Sequence, residues 1–231
     1  MAVAGGPNIV EDGLVFAVDF ANKKSHISGS TAVNDLVRSN NGTVTNGPVY
    51  DNGALDFDGN DDYVDFGSID SSNPMSFYGI TNMAIEVWMY QEGTGDPYQR
   101  VIDKSNNSNT VNGWGIVLGL SPVSSKRLAF FIDGGDTITI SSGYNFNTWH
   151  HITFTKEGSA WKIYIDGALV ASNGSSRVFP ATTTNMRIGT WNHTTGREWN
   201  GKIGTIRAHH KALTASEVLQ NYNATKGRFG L

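Results

Sequence analysis

Short apolar runs, rich in β-branched and aromatic residues, recur along the whole chain and are bounded by Gly, Asn or Asp. They read as strands over Leu14–Phe20, Ala54–Phe57, Tyr63–Phe66, Met83–Tyr90, Arg100–Asp103, Trp114–Leu120, Leu128–Asp133 and Thr137–Ser141. The series continues with Trp149–Thr155, Trp161–Asp166, Ala168–Ala171, Asn185–Thr190 and Gly201–His209. Several runs alternate with period two. Trp149, His151, Thr153 and Thr155 fall on one face, and His150, Ile152 and Phe154 on the other. Trp161, Ile163 and Ile165 share a face opposite Lys162, Tyr164 and Asp166. Successive strand side chains point to opposite faces, so such stripes need a second layer to bury them.

The punctuation between runs is dense. Asn-Gly begins at Asn41, Asn46, Asn52, Asn112, Asn173 and Asn200, and Asp-Gly at Asp12, Asp58, Asp133 and Asp166. Both dipeptides accept positive φ at low cost and are strong hairpin signals. Many short strands between such turns predict an all-β antiparallel sandwich or barrel. The turn dipeptides keep no fixed period, which argues against a solenoid or propeller. One segment reads as helix. Thr214-Ala-Ser-Glu217 is a capping box before Val218, and Leu213 is placed to staple onto Val218. Residues 21–53 are polar and turn-rich yet carry Val33, Leu36, Val37, Val44, Val49 and Tyr50, so they read as a long loop with short strands. The expected organisation is an arm over 1–12, one domain over 13–222, and a tail over 223–231 that is a loose end or a docking peptide.

Composition narrows the chemistry. With no cysteine among 231 residues there is no thiol nucleophile, thiolate zinc site or disulfide framework, which fits assembly inside a cell. The net charge of −4 gives no basic footprint for nucleic acid. No apolar stretch approaches the ~20 residues of a membrane span, and Met1-Ala-Val-Ala-Gly-Gly-Pro7 does not read as a targeting segment. Adjacent histidines at His150-His151 and His209-His210 point to opposite faces of their strands, so neither pair makes a two-ligand metal site.

Three blocks in order resemble a known family. The first is Ala54-Leu-Asp-Phe-Asp-Gly-Asn-Asp-Asp-Tyr-Val-Asp-Phe66 followed by Ala84-Ile-Glu-Val-Trp-Met89. The second is Trp149-His-His-Ile-Thr-Phe-Thr155, then Trp161-Lys-Ile-Tyr-Ile-Asp-Gly-Ala-Leu-Val170. The third joins Met186-Arg-Ile-Gly189, Trp199-Asn-Gly-Lys-Ile203 and Lys211–Tyr222. Together, over residues 13–222, they resemble the laminin-G-like branch of the concanavalin A-like lectin/glucanase superfamily. The resemblance implies an all-β, two-sheet antiparallel jelly-roll sandwich with one short C-terminal surface helix. The ending Leu213–Leu231 resembles such domains in virion proteins of marine and cyanobacterial tailed bacteriophages.

The resemblance directs attention to two kinds of site. Calcium in this family often sits at a sandwich rim, held by oxygens from separate loops, and it takes six to eight of them. The cluster Asp56, Asp58, Asn60, Asp61, Asp62, Asp65 is the candidate, with Asp58 and Asp62 the first choices. It is not an EF-hand: Asp61 stands where glycine is required and Gly67 where glutamate is. Asp-Gly-Asn-Asp also makes a plain hairpin turn, so both readings stand. Many family members carry Asp at the position of Gly204. Among aromatics, Trp88, Trp149 and Trp161 match core positions. Trp191, Trp199, Tyr98 and Tyr144 lie near turns, where a ring face beside polar groups suits sugar, or where a ring covers the sandwich edge. Trp191, His193, Trp199 and Tyr98 are the carbohydrate candidates, and the polar insertions Gly93–Tyr98 and Ser105–Asn112 are candidate recognition loops.

Glucanases of this fold carry Glu-x-Asp-x-x-Glu on one strand. The nearest stretch, Glu86–Gln91, has Trp88 and Gln91 where carboxylates are needed, so no enzyme is expected. The expected function is a non-enzymatic bacteriophage virion surface protein, on head or tail. It is assembled in the host cytoplasm among other virion proteins as an oligomer or symmetric array, and displays its loops to host-surface glycans for multivalent contact. The alternative is a free bacterial carbohydrate-binding lectin assisted by calcium. A glucanase-like hydrolase using Glu86 is the third reading.

Overall fold

The computed structural model describes residues 8–93, 97–107, 111–119, 127–192 and 196–231. Among the described residues, two antiparallel sheets of eight strands each face one another. The first sheet runs β14 (Ala168–Gly174), β13 (Ala160–Ile165), β12 (Trp149–Glu157), β7 (Asn82–Gln91), β16 (Asn200–His209), β5 (Ala54–Asp58), β4 (Val49–Asp51), with β1 (Leu14–Asp19) also on β16. The second runs β11 (Gly135–Ile140), β10 (Leu128–Ile132), β9 (Val111–Leu118), β8 (Gln99–Asn107), β15 (Thr184–Ile188), β6 (Tyr63–Ile69), β3 (Gly42–Thr45), β2 (Ala32–Val33). This is the sandwich that the alternation and turns predict. Segment 21–53 supplies β2, β3 and β4, each of two to four residues.

The turn chemistry works as the dipeptides require at three hairpins. Asn52-Gly53, Asp133-Gly134 and Asp166-Gly167 have positive φ at both residues and join β4 to β5, β10 to β11 and β13 to β14. Three Asn-Gly dipeptides lie within strands, Asn173-Gly174 at the end of β14. Asn112-Gly113 and Asn200-Gly201 lie inside β9 and β16, where Gly113 and Gly201 take φ of +128° and +130°.

The core lies between the sheets. Ile85, Val87, Ile152, Phe154, Trp161, Ile163 and Ile206 from the first sheet meet Val64, Ile102, Trp114, Ile116, Phe130 and Ile188 from the second. The outer face of the first sheet is also buried, by the C-terminal helix α1 (Ala215–Thr225). Its capping box is complete, and Leu213 and Val218 pack together with Val10, Ala84 and Tyr164. Trp161 is a core residue as the pattern implies. Trp88 and Trp149 are not. Trp88 is fully buried on the outer face, its indole N–H donating to Thr225 Oγ1 at 2.8 Å. Trp149 is half-buried and packs at 4.7 Å on Phe229. Alternation shows that a face is covered, not by which layer.

The tail is not a loose end. A short 3₁₀ turn, Lys226–Phe229, folds back so that Phe229 stacks on Trp88 with ring centroids 4.2 Å apart. Arg228 grips Asp19 through both guanidinium nitrogens, at 2.8 and 2.9 Å. Gly204 explains itself here: a Cβ would come within 2.6 Å of the Phe229 ring. The aspartate common in the family gives way at Gly204 to the docked tail.

Candidate functional site

The outer face of the second sheet carries a pocket of about 300 Å³ lined by Tyr98, Arg100, Val117, Arg127, Phe131, Gly134, Asp136 and Arg197. Its floor follows from strand periodicity. On β9 and β10, Val117, Ala129 and Phe131 point outward and pack together, while Ile116, Leu118, Leu128 and Phe130 point into the core. Gly115 leaves room for both the Phe131 ring and the Asp103 carboxylate, each within 3.0 Å of where its Cβ would stand.

Three arginines reach this floor from distant positions in the chain. Arg100, on β8, is 5% exposed and lies 4.6 Å over the Phe131 ring and 3.1 Å from Asp103. Arg127 precedes β10 and is paired with Asp136 across the hairpin, while its Nη1 is buried without a hydrogen-bond partner. Arg197 is carried by the segment leading into β16. The Glu198 carboxylate accepts the backbone N–H groups of Gly196 and Arg197, each at 2.7 Å, and the Arg197 carbonyl accepts the Arg100 N–H at 3.0 Å. The Arg197 guanidinium lies 3.9 Å over Trp191 and 5.3 Å over Tyr98. Among the described residues it has no carboxylate within ion-pair distance.

Burial shapes the charges. It pulls the Arg100 guanidinium down to about 10; Asp103 opposes the shift and the neighbouring Arg197 and Arg127 add to it, yet the group stays protonated at neutral pH. Burial lifts the Asp103 carboxyl to about 6 despite Arg100 and the hydrogen bonds from Ser105. The arrangement offers fixed hydrogen-bond donors around an apolar patch, with Arg100 and Arg127 each paired to an aspartate and the Glu198 carboxylate held by backbone N–H groups.

A second cluster stands at the β5–β6 turn. Carboxylate oxygens of Asp58, Asp61 and Asp62 all lie within 4.8 Å of one another, two of the residues exposed and Asp62 buried. Asp58 is lowered by hydrogen bonds from Asn60, while burial raises Asp62. The adjoining cleft is lined by Asn46, Asp56, Glu92 and Asn200 as well. An all-oxygen donor set with two further carboxylates nearby suits a hard cation such as calcium. This exposed acidic triad can hold a metal. It is also a turn, since Asp58 caps Asn60 and Asp62 accepts the Asp58 N–H.

The sequence candidates separate. Tyr98 lines the arginine pocket. Trp191 stands behind it, 5% exposed, with its indole N–H on Ser105 Oγ at 3.0 Å and its face covered by Arg197. Trp199 is fully buried in the core and presents no ring face to a ligand. Tyr144 is buried as well. His193 lies outside the described residues, as do parts of the insertions Gly93–Tyr98 and Ser105–Asn112. Glu86 is enclosed beneath α1. Its carboxylate accepts from Asn221 at 2.8 Å and lies 3.2 Å from both His151 and His209. The arginines escaped the sequence reading because positions 100, 127 and 197 share no local motif.

Comparison with known proteins gives a consistent setting. The laminin-G family model described as "Concanavalin A-like lectin/glucanases superfamily" matches residues 58–219. A comparison with curated protein sequences finds no match. Among solved structures, Trypanosoma rangeli sialidase in complex with 2,3-difluorosialic acid is similar at TM-score 0.72 and 13% identity. That match covers 96% of this chain and 35% of the sialidase, so the chain spans about a third of it. Domain 4 of AbnA, an extracellular arabinanase from Geobacillus stearothermophilus in complex with arabinotriose, matches at TM-score 0.66 and 16% identity, over 92% of this chain and 100% of that domain. The receptor-binding domain of botulinum neurotoxin mosaic serotype C/D matches at TM-score 0.63 and 15% identity, over 91% and 50%. At these identities the likeness is one of fold.

Proposed function

This chain belongs to the laminin-G-like branch of the concanavalin A-like lectin/glucanase superfamily, and from that membership we propose that it is a non-catalytic glycan-binding module. The observation that carries the proposal is the outward pocket of the second sheet, where the half-buried Tyr98 ring stands over a buried apolar floor and three arginines offer fixed donors. Sugars are held by that combination of ring contact and oriented polar groups. The arabinanase domain of similar length and fold, in complex with arabinotriose, supports the class of ligand. The burial of Glu86 beneath α1 supports a binding role over hydrolysis. The test is titration of the chain with a panel of oligosaccharides, beside a turnover assay on the same panel. Binding without turnover, lost in Tyr98→Ala, is expected. A panel that is ignored throughout removes the proposal, and turnover lost in Glu86→Gln replaces it with a hydrolase.

The proposed setting is the surface of a bacteriophage particle, with many copies displayed for multivalent contact with host glycans. It rests on the resemblance of Leu213–Leu231 to virion proteins, and quantitative mass spectrometry of purified particles tests it. The second reading, a free lectin assisted by calcium, is favoured by the Asp58–Asp61–Asp62 triad. These residues would hold the ion and fix the rim loop. Glycan binding abolished by chelator and by Asp62→Asn supports that reading, and binding indifferent to both removes it.

A further inference from the structure

We propose that the arginine pocket selects acidic sugars: the carboxylate or sulfate group of an anionic glycan sits among Arg100, Arg127 and Arg197, with its sugar ring against Tyr98. The inference rests on the glycan-binding reading and names the ligand class for the same pocket.

The charge balance points to an anion. Asp103 and Asp136 each pair with one arginine, and the Arg197 guanidinium has no ion pair among the described residues, the neighbouring Glu198 carboxylate being taken up by the backbone N–H groups of Gly196 and Arg197. The position of Arg197 is fixed by stacking on Trp191 and by the backbone bonds to Glu198 and Arg100, so little ordering remains to be done on binding. Arg127 Nη1 is a buried donor with no acceptor, in a residue only 9% exposed. A buried donor left unmade costs free energy that an incoming oxyanion recovers. Guanidinium groups match carboxylate and sulfate through paired N–H donors, and hydrogen bonds to charged acceptors are about twice as strong as neutral ones.

The apolar floor points to more than a bare anion. The half-buried Tyr98 ring lines the same pocket above the buried Val117 and Phe131, and inorganic sulfate would leave that ring uncovered. Its volume of about 300 Å³ also exceeds what a single oxyanion fills. The chain as a whole carries −4, so a general attraction for polyanions does not account for a local positive site.

The experiment titrates the full chain by calorimetry with four probes. They are a hexuronate oligosaccharide, a sulfated oligosaccharide, a neutral oligosaccharide of equal length, and inorganic sulfate. At least one acidic oligosaccharide is expected to bind about tenfold or more tighter than the neutral one, from one or two charge-assisted hydrogen bonds. Arg197→Gln, at a half-buried side chain with no ion pair to break, is expected to erase that preference while circular dichroism stays the parent's and the melting temperature falls only by what the Trp191 stack contributes. Arg127→Lys keeps the charge but not the fork, and is expected to weaken the acidic probe alone. Neutral and acidic probes binding equally, unchanged in Arg197→Gln, overturn the inference and leave the glycan reading standing. Inorganic sulfate binding as tightly as the acidic oligosaccharides overturns the sugar half. Silence from every probe overturns both.

Discussion

The Arg197 guanidinium lies 3.9 Å over the Trp191 ring, which is itself hydrogen-bonded to Ser105 and almost closed to solvent. A cation on a desolvated indole face is worth roughly 0.5–2 kcal/mol. A double-mutant cycle with Arg197→Gln and Trp191→Phe is expected to give a coupling in that range by urea denaturation. In the proposed binding site Trp191 would act through Arg197, and additivity of the two changes would show that the stack contributes nothing.

Asp103 gives the pocket a pH response. It is faced by Arg100 and Ser105 on its own strand, Arg187 opposite on β15, and Arg197 and Trp191 nearby. Burial raises its carboxyl to about 6. Protonation below that pH adds one positive charge to the site, so an acidic oligosaccharide is expected to bind tighter at pH 5.5 than at pH 7.5. The same shift destabilises the fold as pH rises from the ordinary carboxylate value of about 3.9 toward about 6, because a carboxyl with a raised folded value favours the folded chain only while protonated. Asp103→Asn is expected to flatten the binding profile; an unchanged profile would place the titration elsewhere.

Glu86 answers acid in the opposite sense. Burial alone pushes its carboxyl up, but the contacts with His151 and His209 and the charge of Arg207 win, and hold it well below the usual carboxylate range. A depressed carboxyl stabilises the fold above its unfolded value of about 4.3 and loses that contribution as pH falls toward the folded one. Removing one partner from such a network costs about 3–5 kcal/mol. Glu86→Gln is expected to lower stability at pH 7 by that order and to shrink the difference at pH 3. Thermal melts at the two pH values read both effects.

Much of the sandwich was legible in the sequence, because period-two alternation and Asn-Gly or Asp-Gly turns are local signals. The inner stripe Ile85, Val87 with Ile152, Phe154 could be read directly. Trp88 could not be placed, since burial between sheets and burial beneath α1 leave the same pattern. Trp199 reads as a rim residue from its polar neighbours, but its backbone N–H donates to the Gly189 carbonyl at 2.7 Å and its ring is fully buried in the core. The pocket was half visible: Tyr98 stood near a turn, while Arg100, Arg127 and Arg197 converge only through strand order.

Gly201 separates glycines that must be glycine from those that merely bend. Its φ is +130° and a Cβ would stand 2.1 Å from the Tyr90 carbonyl oxygen. Gly67 has φ of +70° with nothing within 4 Å. Gly67→Ala is expected to cost about 1 kcal/mol from left-handed strain alone, and Gly201→Ala about 3 kcal/mol or more, since the backbone of β7 must move. Equal losses in chemical denaturation would mean that the β16–β7 contact yields easily.

The docking of the tail turns on Gly204. Phe229 stacks on Trp88 because nothing projects from Gly204, where a Cβ would lie 2.6 Å from the ring. Gly204→Asp, the residue common in the family, is expected to expel Phe229 and wet one face of Trp88, with a red shift in tryptophan emission. Phe229→Ala removes the same contact from the other side, at about 1–3 kcal/mol for lost ring burial and stacking. Two changes that remove one shared contact do not add. The double variant Gly204→Asp/Phe229→Ala should therefore be little less stable than either single one, and its emission should match theirs. Full additivity would instead mean that Gly204 bears on the fold by some route other than Phe229. Particle attachment through this tail would then compete with Trp88 for the same ring, so incorporation into particles should rise in Gly204→Asp if Phe229 is the anchor.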